Sequence, residues 1–178
     1  MSHIAHSIED IQYKCLISDM FLIDGDGSVP SMTPFGAISG LQLYGFVDGS
    51  KMNQMFASIH LPHDYKQGSD LIPFVQWSPN TSATGSVRWQ LDYGICSDNG
   101  SFNTNTTVTG SQAASGQYYN QKLVLPNIPG TNRKICDSLL VRISRDSSLD
   151  TYTGTAILIS FGLHYQADTI GATSMMTK

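Results

Sequence analysis

Val87-Arg88-Trp89-Gln90-Leu91-Asp92-Tyr93-Gly94-Ile95-Cys96 decides the fold class. Val87, Trp89, Leu91, Tyr93 and Ile95 fall on one side of an extended chain, with Arg88, Gln90 and Asp92 on the other. A period of two with one apolar and one polar side is a strand that buries one face of a sheet. The pattern returns near the end, where Ile157, Ile159, Phe161, Leu163 and Tyr165 alternate with Ala156, Leu158, Ser160, Gly162, His164 and Gln166.

Outward from these two runs the chain reads as eight strands: Leu41 to Phe46, Gln54 to Leu61, Leu71 to Ser78, Ser86 to Cys96, Asn105 to Gln112, Tyr118 to Pro126, Ser138 to Arg145 and Thr155 to Gln166. Between them lie Pro79 to Gly85, Ser97 to Asn103 and Asp146 to Gly154, rich in the residues that turn a chain. Helix formers are scarce, because Glu9 is the only glutamate and charged residues make up 13% of the chain. Eight antiparallel strands with unequal loops and no fixed repeat predict a two-sheet jelly-roll sandwich over residues 37–178. A related sandwich with an added N-terminal strand is the second choice.

Residues 1–36 read as an N-terminal arm. Ile8, Ile11, Cys15 and Met20 fall near helical spacing, yet Ile11, Tyr13 and Cys15 alternate, so helix and strand both stay open. Asp24-Gly25-Asp26-Gly27 and the stretch from Pro30 to Pro34 are expected to hold no regular element. In the last strand the second face carries no charge, which calls for cover by another copy of the chain or by its own arm.

At 178 residues the chain has the size of one domain. A net charge of −4 argues against nucleic-acid and anionic-lipid partners. Arg133-Lys134 and the Arg142, Arg145 pair, with Asp137 and Asp146 nearby, read as solvated faces. Three widely spaced cysteines, Cys15, Cys96 and Cys136, suit buried free thiols better than a disulfide framework. No apolar run reaches the ~20 residues of a membrane-spanning helix, and no basic-then-apolar leader is present. The expectation is synthesis and folding in a reducing cytosol.

No Gly-x-Ser-x-Gly elbow occurs, and every acidic residue except Glu9 is an aspartate, mostly in a turn, where Asp bonds nearby amides. The chain is therefore expected to be no enzyme and to take no cofactor. His60 and His63, with His164 on another strand, are the candidate metal ligands, although Pro62 turns the chain between the first two. Asp24-Gly25-Asp26-Gly27 opens like a calcium loop but lacks its later ligands. For a partner or sugar platform the candidates are Tyr118 and Tyr119, whereas Trp77 and Trp89 fall at positions expected to pack.

Pro62-His63-Asp64-Tyr65-Lys66, followed by Gly68-Ser69-Asp70, Pro73 and Trp77-Ser78-Pro79, resembles a motif of small structural proteins of tailed bacteriophages. Val87 to Tyr93, Leu139 to Asp146 and Leu163 to Gly171 are similar to later blocks of the same family, so the resemblance covers about residues 58–172. It departs at Phe74 and Gln76, where that family often has histidines, which leaves His60 and His63 without companion ligands. Apart from the family, Pro62 closes a strand, Asp64 is expected to cap the next turn, Gly68 to take a positive φ, and Pro73 to stiffen the start of the following strand.

The resemblance, joined to the all-β plan and a leading arm without heptads, implies a virion structural protein. The first reading is a homotrimeric decoration or cement protein on the exterior of the capsid, bound to the major capsid protein and made in the host cytoplasm. The alternative is a tail-associated receptor-binding or fibre-tip protein that recognises host surface polysaccharide.

Overall fold

The computed structural model describes residues 12–17, 20–21, 28–49, 52–102 and 104–168. Ile8, Ile11, the Asp24-Gly25-Asp26-Gly27 turn and Thr169-Ile170-Gly171 lie outside them. Two sheets face each other. The first holds β3 (Ser31–Pro34), β4 (Gln42–Phe46), β11 (Ala156–Ala167), β6 (Ile72–Pro79) and β9 (Gln121–Val124) in that order, with β1 (Gln12–Ile17) beside the far end of β11. The second runs β2 (Met20–Phe21), β5 (Asn53–His60), β10 (Ser138–Arg145), β7 (Ser86–Cys96) and β8 (Thr106–Ala113). These strands pair antiparallel throughout.

Numbered from β4 to β11 as first to eighth, the two sheets read first-eighth-third-sixth and second-seventh-fourth-fifth. That order is the jelly roll. The eight expected strands are all present, β7 and β10 with the expected bounds. Three more come from the leading segment, which settles the helix-or-strand question for 12–17 in favour of strand.

The core is the set of inward positions that the alternation marks. Trp77 and Trp89 are fully buried with ring centroids 6.3 Å apart, and Phe46 meets Trp89 edge-on at 5.0 Å. Met55, Leu91, Ile143 and Phe161 are fully buried around them, each contributing about 1.5–3 kcal/mol of apolar burial. Trp77 also donates Nε1–H to Gln112 Oε1 at 2.8 Å, which satisfies its one polar atom.

The structure corrects several expectations. The alternation of β11 is interrupted by a register shift between Leu158 and Ser160, a β-bulge. Ala156 and Leu158 therefore join the core with Phe161, Leu163 and Tyr165, while Ile159 is turned out. The stretch from Pro30 to Pro34 does hold a strand, β3, tolerated because it lies at a sheet edge where a missing N–H breaks no ladder. Tyr118 takes φ 62°, a left-handed turn conformation, so β9 starts only at Gln121.

Two further corrections concern polar residues. Arg145 is no solvated residue: it is fully buried at an inward position of β10, and Asp137 and Asp146 are buried too. Of the thiols, all free, only Cys96 is buried; Cys15 is exposed on β1 and Cys136 half-buried in a loop.

The arm meets the uncharged flank of β11 at its edge. β1 pairs Gln12 with Ala167 through Ile17 with Gly162, and Leu16 packs against the core. On that flank Gly162 leaves room for Phe74, since a Cβ there would stand 2.7 Å from the Phe74 ring.

Candidate functional site

The stretch from Pro62 to Leu71 folds as a strap across one end of the sandwich. Leu61 and Cys136 join it to the 127–137 loop: Leu61 N donates to Asp137 O at 2.9 Å and Cys136 N to Leu61 O at 2.8 Å. Tyr65 N closes a turn onto Pro62 O, Lys66 N donates to Gln166 O at 2.7 Å, and Gly68 N to Arg133 O at 3.0 Å. Leu71 and Ile128 exchange two backbone bonds, at 3.0 and 2.8 Å. Buried Tyr65 donates its hydroxyl to Ser69 O inside the loop. Gly68 has φ 83°, as its place in the motif leads one to expect.

Gly130 is the counterpart across the strap. A Cβ there would lie 1.7 Å from Ser69 O, and its amide donates to Asp70 Oδ1 at 3.0 Å. Asp64 serves the arm: its carboxylate accepts from the Lys14 ammonium and, at 3.1 Å, from the Tyr165 hydroxyl. This corrects the expectation that Asp64 caps the next turn. Burial pushes the Asp64 carboxyl up, but the bonds from Lys14 and Tyr165 outweigh it and hold the pKa below 3.8. Burial, with the Asp64 hydrogen bond and charge, pushes the Tyr165 phenol up to about 12.

Beside the strap lies a polar cleft of about 390 Å³, lined by Tyr13, Lys66, Gln67, Asp70, Asn127 and Gln166 among others. Tyr13 and Gln166 are cross-strand partners of β1 and β11, and Gln166 Nε2 donates to the Tyr13 hydroxyl at 3.0 Å. Tyr13 is 58% exposed.

A second groove, of about 350 Å³, crosses the outer face of the other sheet. Phe56 of β5, Leu140 of β10 and Phe102 of the loop between β7 and β8 give it apolar walls, with Asp92 and Arg142 also in its lining. Asp92 is buried and accepts from Arg142 Nε at 3.0 Å, from Gln90 Nε2 at 2.9 and 3.1 Å, and from Thr107 Oγ1. Its carboxylate is spent within the sheet.

The candidate histidines are dispersed. His60 Nδ1 lies 3.2 Å from Ser138 Oγ at the end of β5, and His63 Nε2 lies 3.3 Å from Cys136 Sγ in the strap. His164 sits on the opposite sheet, stacked on Phe74 at 4.8 Å and 2.7 Å from Lys122 Nζ. Burial and the Lys122 charge push its pKa below 6.5. Among the described residues no three His, Cys, Asp or Glu side chains form a group able to hold a metal ion. Tyr118 is half-buried with its ring edge-on to Phe35 at 5.1 Å, so it packs; Tyr119 is 63% exposed.

Sequence reading did not bring Tyr13, Asn127 and Gln166 to the motif. The Ile11, Tyr13, Cys15 alternation was the available signal for β1, but its partner strand is set by tertiary pairing.

No protein-family model and no curated protein matches the chain. Solved structures do. A carbohydrate-binding module crystallised with β-1,4-galactotriose is 11% identical, over 86% of this chain and 88% of that one, with a TM-score of 0.37. Dimeric latent PorU from Porphyromonas gingivalis is 13% identical over 92% of this chain, with a TM-score of 0.42, and the enzymatically active domain of bacteriophage CBA120 tailspike protein 4 is 12% identical over 90%, with a TM-score of 0.38. The chain spans 14% and 20% of those two proteins. Among the described residues no helix is long and apolar enough to cross a membrane.

Proposed function

We propose that this chain is a structural protein of a tailed-phage particle, acting as a homotrimeric decoration protein that binds the major capsid protein on the outside of the head. In this reading it is no enzyme, takes no cofactor and binds neither nucleic acid nor membrane. The observation that carries it is the strap. The residues that resemble the phage motif are the ones that clamp the arm, β11 and the 127–137 loop into one rigid end, through the Asp64 contacts to Lys14 and Tyr165 and the Lys66 bond to Gln166.

A rigid brick of this kind stabilises a shell by mass action, because it binds the assembled lattice and lowers that state's free energy. The test is addition of purified chain to undecorated, expanded capsids, with its position read by electron cryomicroscopy and its oligomeric state by light scattering. Regular density on the capsid exterior and a trimer in solution are the expected results. Density confined to the tail would replace this reading by the receptor-binding one, and no density on the particle would end both.

A further inference from the structure

We propose that the cleft beside the strap is a binding site for a neutral saccharide, with Tyr13 as the stacking ring and Lys66, Gln67, Asp70, Asn127 and Gln166 as the polar rim. Its volume of about 390 Å³ suits a small ligand. A sugar ring has two kinds of surface, C–H groups on its faces and hydroxyls around its rim. A site for it needs an exposed aromatic plane next to several donors and acceptors.

The cleft has both. Tyr13 is 58% exposed, and the bond from Gln166 to its hydroxyl fixes the ring while leaving a face open. Around it the Lys66 ammonium and the Gln67 amide make no hydrogen bond to another described residue. Asn127 spends its Nδ2 on a 3.4 Å bond to Asp70 and keeps its carbonyl, as Gln166 keeps its own. Amide and carboxylate groups can each bridge neighbouring hydroxyls.

Charge narrows the ligand class. Lys66 and Asp70, one charge of each sign, both line the cleft, so it has no excess cation with which to select a phosphate or an acidic sugar. The walls are also preorganised: the loop from Lys66 to Asp70 is held by bonds to Gln166, Arg133 and Gly130, so little ordering is left for the ligand to impose. The groove on the other sheet differs in its walls, which are mainly the apolar Phe56, Phe102 and Leu140.

This inference is independent of the capsid reading. It is tested with isotopically labelled full-length chain, titrated with maltotriose, cellotriose and mannotriose, and with trigalacturonate as the anionic arm. At least one neutral trisaccharide is expected to shift the backbone amides of residues 66–70 and 127. Tyr13→Ala and Gln67→Ala should weaken that binding, Tyr13→Ala by about tenfold, while Tyr119→Ala leaves it unchanged. Amide dispersion equal to that of the parent shows that each variant is folded, and a Tyr13→Phe variant, which keeps the ring, should retain most of the affinity. Absence of shifts with all neutral sugars, shifts only with trigalacturonate, shifts centred on Phe56 and Phe102, or shifts indifferent to Tyr13→Ala would overturn the proposal. A chain that decorates capsids yet binds none of these sugars would refute this inference alone.

Discussion

Replacing Arg145 by methionine removes a buried side chain that makes five hydrogen bonds. Its Nε and one Nη donate to the two oxygens of Asp150 at 2.7 and 3.2 Å, and the remaining N–H groups go to Phe46 O at 2.8 Å, Gly154 O at 2.6 Å and Tyr152 O. All five guanidinium donors are thereby used. The side chains of Arg145 and Asp150 are 0% and 2% exposed, so removal of the cation leaves a buried carboxylate with no counter-charge and three carbonyls short of a donor. Breaking a buried pair from one side costs about 3–5 kcal/mol. For a domain of this size about 1 kcal/mol moves Tm by roughly 2–4 °C, so the variant should melt roughly 6–20 °C lower.

Two companion variants separate the causes. Arg145→Lys keeps the charge but has a compact ammonium in place of the planar fork, and should recover only a minor part of the loss. Arg145→Met with Asp150→Leu removes the orphaned charge and should be more stable than Arg145→Met alone by at least about 1 kcal/mol, the remaining deficit being the three carbonyls. Urea unfolding followed by circular dichroism measures all three. A loss below about 1 kcal/mol for Arg145→Met, or a double variant no better than the single, would refute the assignment of this pair as the anchor of the β4, β10 and 146–155 junction.

Gly130→Ala should loosen the strap, because its Cβ would stand 1.7 Å from the Ser69 carbonyl oxygen and backbone there cannot swing aside. Faster hydrogen exchange at Gly68 and Leu71, with slower change in β7, is the expected signature. The Asp64–Tyr165 contact sets two limits in pH. The carboxyl has a folded pKa below 3.8, so its contribution is complete above that value and is lost as pH falls through the lowered one. The phenol is raised from 10.0 to about 12, so its contribution is complete below 10.0 and fades as pH climbs toward 12. Burial raises the Tyr65 phenol as well, so phenolate absorbance should show two late-titrating tyrosines, of which one is lost in Tyr165→Phe, and an unchanged titration curve in that variant would refute the assignment.

The bounds of β7 and β10 were legible from alternation because a strand with one buried face writes its geometry into every second residue. The jelly-roll order was legible only as a class, since pairing partners far apart in the chain leave no local mark. At β11 the same alternation misled: a bulge at Ile159 inserts one residue, and every inward position beyond it changes parity. Arg145 shows the limit from another side. It continues the inward series Leu139, Val141, Ile143, but a cation at such a position reads as exposed until Asp150 and three carbonyls are seen to converge on it.

The motif itself gave a turn with a glycine in a positive-φ position, and nothing about what the turn touches. Lys14, Gln166 and Gly130 reach it from three distant parts of the chain. What this sequence determined alone was which apolar residues face inward along unbroken strands such as β7 and where the chain bends, because those depend on neighbours two to four positions away. Which polar groups were satisfied and which were left open around Tyr13 was decided by the folding of the two sheets, because hydrogen-bond partners are chosen by proximity in space.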